Sequence, residues 1–287
     1  MSVAEKLTAI ADRIRSHTKK TDKLTLDGMA SGVQEVYEYG WSGGYGEGLD
    51  HGVVQGIEEG LQNAYDKFWD NFQLNGTRTN YVYSFGCGWN ADIFKPKYPM
   101  RPVSANYMFF NNIEDGIVTA DFVEFCTEHN IVLDFSDCQT AVYALAKINS
   151  PHIGVLDFSK CTKLGYLFYA HNGRKDRSVQ KIDEFISSEI TAFENSTFQT
   201  AIYLEDITMS GVVSKSINFG TCPLNKASII SVVNVLSSST TGQTVTFKKT
   251  AVNTAFGINV DDASTYPVGS EFYNLRNSKS NWTFSYA

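Results

Sequence analysis

The sequence predicts an α+β chain: an N-terminal helical region followed by an irregular solenoid with one short strand per turn. Three observations predict it. Apolar residues step by 3 and 4 along most of the stretch from Val3 to Phe72. The block Leu133-Asp-Phe-Ser-Asp-Cys138 recurs as Leu156-Asp-Phe-Ser-Lys-Cys161, at a spacing of 23. The composition, 43% hydrophobic and 19% charged over 287 residues, can build a core and fits about two domains. The organisation read from these patterns is a helical anchoring and oligomerisation region over 1–75, a junction or cap over 76–110, and a repeat domain over 111–287.

The elements follow in order. Val3, Leu7, Ile10 and Ile14 make one helical stripe, broken by the polar run His17 to Lys23. A second stripe runs through Leu26, Met29, Val33 and Val36, with Thr25 as a candidate N-cap. Glycines then recur every four residues at 40, 44, 48, 52, 56 and 60. Each costs a helix about 1 kcal/mol against Ala, so a helical run needs compensation from close packing. Residues 40–50 read equally as helix or linker, and helix is expected from about 50. Val54, Ile57, Leu61, Tyr65, Phe68 and Phe72 form a third stripe, ended by Asn75-Gly76. It suits a short oligomeric bundle; packing on the chain's own C-terminal domain is the alternative. Residues 80–110, with Pro96, Pro99 and Pro102, read as an aromatic, turn-rich junction.

A third, looser copy of the block is Ile217-Asn-Phe-Gly-Thr-Cys222, and further strands are expected at Gln180–Ile182, Ile202–Leu204 and Val245–Phe247. The starts at 133, 156, 180, 202, 217 and 245 give an irregular period near 22. That is too short for helical-pair repeats or propeller blades. The first and third positions of each block should point inward, placing Leu133, Phe135, Leu156, Phe158, Ile182, Ile202, Leu204, Ile217 and Phe219 inside. Segments 133–135 and 156–158 should be adjacent strands. A thiol is a small hydrophobe with a weak donor, so Cys138, Cys161 and Cys222 are expected as a reduced, buried, metal-free ladder.

The net charge is −7, from 24 Lys and Arg against 31 Asp and Glu, which disfavours nucleic acid and anionic membranes as partners. No apolar run approaches the roughly 18 residues of a membrane span, so no membrane insertion is expected. The segment Met1 to Arg15 is charged from position 5 onward and lacks the apolar stretch of a signal peptide. Five cysteines at 87, 126, 138, 161 and 222 contain no C-x-x-C pair. The five histidines at 17, 51, 129, 152 and 171 make no zinc motif, and no nucleophile elbow or phosphate loop occurs. Asp134 and Asp157 could be a retaining glycosidase pair, but their identical repeat position favours a solvated ladder. Glu124 and Glu128 around Cys126, with His129 next, read as a surface helix face. No catalytic residue, metal ligand or cofactor is assigned.

The L-x-F-x-x-C blocks resemble the leucine-rich-repeat signature L-x-L-x-x-N/C. Ile190-Thr-Ala-Phe-Glu-Asn-Ser-Thr-Phe198, running into Ile202-Tyr-Leu204, resembles the irregular leucine-rich repeats of BspA-type bacterial surface proteins. Pro223 to Leu236 resembles the helix near the end of such domains in prophage-encoded proteins, with Ile229, Val233 and Leu236 on one face, and Asn281 to Ala287 resembles their closing strand. Ala11 to Met29 and Tyr65 to Gly76 resemble the opening and the helix-to-domain junction of tail-region proteins in phages of Gram-positive bacteria. The extended glycine stripe and the drift of the repeats after residue 170 depart from that pattern.

The resemblance implies a non-enzymatic structural protein of a phage tail tip or baseplate, made in the host cytoplasm and carried in the virion. Its partners would be other tail or baseplate proteins, further copies of itself and a host surface glycan or protein. Tail fibres and tips are commonly trimeric, so resemblance sets the copy number at three. Alternatives are a bacterial leucine-rich-repeat adhesin, a component of a phage-tail-like injection device, and a cell-wall hydrolase. In strands of this pattern the residues between inward positions face outward along one sheet. The expected binding row is therefore Asp134, Ser136, Asp157, Ser159, Lys181, Tyr203, Glu205 and Asn218, with Thr246, Asp183 and Lys248 alongside.

Overall fold

The computed structural model describes residues 3–18, 25, 31–33, 48–81, 96–109, 122–128, 130–146, 150–168, 178–194 and 196–287. Internal contacts divide the chain into two units, Met1–Tyr65 and Asp66–Ala287. Helices and strands both contribute, so the chain is α+β.

The first stripe forms α1 (Val3–Thr18). Ala11 and Ile14 are buried while Leu7 and Ile10 stay exposed. A Cβ on Gly32 would lie 2.5 Å from Ile14 Cγ2, so glycine is what lets the two backbones approach there. The second expected helix falls mostly outside the described residues; 31–33, within it, are helical. Residues 40–47 also lie outside them, and α2 runs Gly48–Phe72. Three of its stripe are exposed, Ile57 at 39%, Leu61 at 66% and Phe68 at 46%, while Tyr65 and Phe72 are half-buried. Cβ atoms at Gly56 and Gly60 would meet nothing within 4 Å. Among the described residues of α2 the buried one is Trp69, off the expected stripe and 1% exposed, with Phe68 and Phe72 edge-on to it at 5.3 and 5.4 Å.

Within the second unit the junction is fastened to the end of α2. The buried Gln73 amide donates to the Tyr98 carbonyl at 2.8 Å and accepts its N–H at 2.9 Å, as a strand neighbour would. Tyr98 Oη donates to Asp70 at 2.6 Å, and Lys97 pairs with the same carboxylate at 2.8 Å. Bridges Asn80↔Ser104 and Ser104↔Thr140 then lead into the repeats.

Every strand pair among the described residues is parallel. β1 (Thr140–Val142) pairs with β3 (Lys163–Gly165). β2 (His152–Asp157), β4 (Lys181–Ser187) and β5 (Asp206–Gly211) form a second sheet in that order. β6 (Ile217–Phe219), β7 (Gln243–Phe247) and β8 (Trp282–Tyr286) form a third. The register Thr140↔Lys163, Ala141↔Leu164, Val142↔Gly165 has the same offset as Leu133 to Leu156, so β1 and β3 stand at equivalent places in the two copies.

The blocks themselves are not the strands the sequence suggests. Leu133 makes one bridge, to Met100, and is half-buried. Leu156 pairs with Phe185 near the end of β2, and Phe158 follows that strand. No ladder joins 133–135 to 156–158 among the described residues. The two copies meet through the Phe135 and Phe158 rings, 5.0 Å apart, and through β1 and β3. The strand expected at Ile202–Leu204 lies instead at β5. Ile202 is 40% exposed in a turn, and Ile207 and Met209 take the inward places. Ile202 lies in the turn closed by the Leu204 N–H on the Ala201 carbonyl, and β5 also lacks a bulge that its neighbours carry. The inward pairs Ile153/Leu156 and Ile182/Phe185 are three residues apart, but Ile207/Met209 are two, and the register shifts between Ile182 and Phe185.

A row of rings threads the core. Phe135, Phe158, Phe185, Phe198, Phe219 and Phe247 are all buried, with successive centroids 5.0, 5.5, 5.4, 4.4 and 6.4 Å apart. Such pairs add about 0.5–1.5 kcal/mol each beyond area burial.

The exposed edge of β5 is closed by α4 (Lys226–Val235), the helix expected over 224–236, with Ile229, Val233 and Leu236 buried. Asn225 caps it by accepting the Ser228 N–H at 2.9 Å. Ser228 and Ser231, one helical turn apart, accept the Ile207 and Met209 N–H groups, each at 2.8 Å. The same hydroxyls donate to the Glu205 and Met209 carbonyls at 3.3 Å. Two serines thus do for the edge what another strand would do. Ser231→Ala orphans the Met209 N–H, and a loss of about 1–3 kcal/mol in urea unfolding is expected. Ser231→Thr keeps the hydroxyl and should retain more of that stability.

After β7 come α5 (Lys249–Phe256) and α6 (Glu271–Asn277), and β8 closes the sheet as expected.

Candidate ligand-binding surface

The eight expected binding residues do not make one row. Asp134 and Ser136 follow Leu133, and Asp157 and Ser159 stand at the same places in the next copy. Lys181 pairs with the far end of β2, opposite His152 rather than Asp157. Tyr203 and Glu205 precede β5, and Asn218 lies in the third sheet between Ile217 and Phe219. Thr246 neighbours Asn218 in register, and Lys248 stands before α5.

Three of these side chains have a common task. Asp134 Oδ1 accepts the Ser136 N–H at 2.9 Å, Asp157 Oδ1 the Ser159 N–H at 2.9 Å, and Asn218 Oδ1 the Gly220 N–H at 2.8 Å. The thiols complete the same turn. Cys138 N–H donates to the Phe135 carbonyl, Cys161 to Phe158 and Cys222 to Phe219, at 2.8–3.0 Å. Cys138 Sγ then reaches the Thr140 carbonyl at 3.3 Å and Cys161 Sγ the Lys163 carbonyl at 3.2 Å. All three thiols are buried. The Cys161 thiol beside it and burial push the Cys138 thiol above its ordinary range, and burial pushes Cys222 up to about 12.

The aspartates are thus turn formers first. The Ser136 N–H bond holds the Asp134 carboxyl below its ordinary value. A glycosidase acid needs a raised value, so Asp134 is poorly suited to that role. The third copy does the same job with an uncharged amide. Asp157→Asn is therefore expected to leave stability within about 0.5 kcal/mol, while Asp157→Ala loses a bond worth about 0.5–1.5 kcal/mol by urea unfolding. Equal effects of the two would show that charge, not the turn, is what matters.

Of the other expected residues, Lys181 is engaged through its side chain, and Ser159 and Glu205 through their backbone carbonyls. Lys181 Nζ lies 2.8 Å from Asp183, and His152 Nε2 lies 2.9 Å from the same oxygen. The Lys181 hydrogen bond and then His152 hold the Asp183 carboxyl low. The Ser159 carbonyl accepts the Ser188 hydroxyl, and the Glu205 carbonyl accepts the Asn225 N–H at 2.8 Å. Among the described residues no group of His, Cys, Asp or Glu is disposed to hold a metal ion.

Two surface features come from the repeats. Tyr107, Tyr143 and Tyr166 stack face to face, with centroids 4.9 and 4.7 Å apart and planes within 14° and 3°. All three have φ between 48° and 57°. Left-handed backbone costs a tyrosine roughly 1–2 kcal/mol, so stacking and the strand bonds on either side must hold it there. The second feature is an open groove of about 400 Å3 between β2 and α3 (Phe122–Glu128). Val132 and Val155, each just before the first leucine of its block, stand exposed beside it. Glu124 and Glu128 are exposed on α3, as a surface face should be, while His129 lies outside the described residues. Cys126 lines the groove, and burial pushes its thiol up to about 12.

No protein-family model, curated protein or solved structure matches the chain.

The sequence pairs Tyr143 with Tyr166 but misses Tyr107. The step from Tyr107 to Tyr143 is longer than the step from Tyr143 to Tyr166, because the described helix α3 falls in that turn.

Proposed function

We propose that this chain is a non-enzymatic structural protein of a phage tail tip or baseplate. Its N-terminal helices join copies into a homo-oligomer, a trimer by resemblance, and fasten it to other tail proteins. The second unit is an irregular leucine-rich-repeat domain of solenoid type that binds a glycan or protein of the host surface. One contrast carries this reading. Ile57, Leu61 and Phe68 stand exposed along the 25-residue α2, with open space over Gly56 and Gly60, while the second unit buries a continuous phenylalanine row. Apolar stripes of this kind mark an assembly surface. The parallel register of β1 on β3, equal to the spacing of the two blocks, supports the repeat assignment, and the turn-forming aspartates support scaffold over catalysis.

Labelled antibody against the chain, imaged on intact virions of its host's phage, tests this directly. Label at the tail tip or baseplate is the expected result. Unlabelled virions, or release of soluble sugar or peptide from purified walls by the protein, would overturn it.

A further inference from the structure

The C-terminal end of the second unit holds a cleft of about 640 Å3, lined by Tyr266, Pro267, Tyr273, Arg276, Asn277 and Trp282. Local sequence explains its shape. Ser270 caps α6 by accepting the Tyr273 N–H, and Phe272 is buried against Phe256 and Tyr266, at 5.1 and 5.3 Å. With Phe272 fixed, Tyr273, Arg276 and Asn277 share another side of the helix, spaced by three and four residues.

The walls and the polar groups differ in one respect. Tyr266 and Trp282 are buried, and their polar atoms are already used: Tyr266 Oη donates to the Val260 carbonyl at 3.3 Å, and Trp282 Nε1 to the Ser237 carbonyl at 2.8 Å. They are rigid apolar surfaces. The Arg276 guanidinium, the Asn277 amide and the Tyr273 hydroxyl, by contrast, have no hydrogen-bond or ion-pair partner among the described residues. Tyr286, on β8 but outside the cleft lining, is a separate case. Tyr286 Oη is buried without a partner, and burial pushes its phenol up to about 12 with Arg276 opposing the shift. A guanidinium, an amide and a hydroxyl left free along one concave wall are polar groups open to a ligand.

The chemistry of that occupant follows from the lining. A guanidinium presents a planar fork matched to carboxylate or phosphate oxygens. The half-buried Tyr273 ring and Pro267 offer apolar surface to the C–H side of a sugar or polyol, and the Asn277 amide and Tyr273 hydroxyl match hydroxyls. We propose that this cleft binds an acidic glycan unit, a sugar or polyol bearing a carboxylate or a phosphate. This rests on the envelope-binding reading above and gives it a site and a ligand class. It also moves recognition from the repeat rows to the closing end of the domain.

Calorimetric titration of the full chain with glucuronate, glucose 6-phosphate, methyl glucoside and inorganic phosphate tests it. At least one acidic sugar should bind about tenfold or more tightly than methyl glucoside and than inorganic phosphate. Arg276→Gln should lose about tenfold, with an unchanged melting temperature because the side chain is exposed. Asn277→Ala should weaken the same ligand. Binding of glucuronate alone assigns the charge to a carboxylate, and of glucose 6-phosphate alone to a phosphate. Equal binding of methyl glucoside, equal binding of inorganic phosphate, or no binding at all overturns the cleft. Host-cell adsorption separates the two readings. Wild-type adsorption that Arg276→Gln leaves unchanged overturns the cleft but not envelope binding. No adsorption by wild type overturns envelope binding, while the titration still decides the cleft.

Discussion

Replacing Phe158 by alanine should destabilise the second unit by about 3–5 kcal/mol, the cost of emptying a ring-sized space in a packed core. Phe158 is fully buried and packs in tilted pairs with Phe135 at 5.0 Å and Phe185 at 5.5 Å, so truncation also removes two ring pairs. Urea unfolding followed by far-ultraviolet dichroism gives the number. Phe284→Ala is the control. Phe284 meets the row from half-buried β8, 6.4 Å from Phe247, and should cost clearly less. A change below about 1 kcal/mol at Phe158, or equal losses at both positions, would mean that the row is not what holds the unit together.

Removing residues 1–65 should lower host-cell binding by about 10²–10⁴, because linked copies bind with an avidity that single copies lack. The cut belongs at 65 and not at 75. Trp69 is 1% exposed, and Gln73 holds the Tyr98 backbone from both sides, so a cut at 75 would also damage the second unit. Light scattering should give the mass of one copy for the shortened chain and a multiple for the intact one. A monomeric intact chain, unchanged by added tail proteins, would contradict the assembly. Equal cell binding by both forms would contradict the link between assembly and adhesion.

The two experiments probe parts that are unequally legible in the sequence. Burial of Phe135, Phe158 and Phe219 can be read from the repeated block, because two copies with the same apolar positions must bury the same positions. Burial of Cys138, Cys161 and Cys222 follows in the same way. The helix Lys226–Val235 and the closing strand are legible by resemblance, and the helical character of Val54 to Phe72 by its periodicity.

What fails is finer. Ile202 lies outside, because the chain turns there, with the Leu204 N–H on the Ala201 carbonyl, before β5 begins at Asp206, and a short apolar run does not mark where a strand starts. Strand alternation points Asp134, Asp157 and Asn218 outward into a binding row; their oxygens instead turn back to the N–H two residues on. Tyr266, Tyr273, Arg276 and Trp282 carry no signal, because a cleft between a helix and a strand has no periodicity.

The sequence by itself determined which residues are alike: the repeated block, the apolar faces and the acidic charge. Alikeness sets burial and local conformation, which act over a few residues. Only the tertiary structure decided which strands pair, that Ser228 and Ser231 close the edge of β5, and that Arg276 stands unpaired beside an aromatic cleft. Those outcomes depend on contacts between segments distant in the chain, which patterns acting over a few residues do not specify.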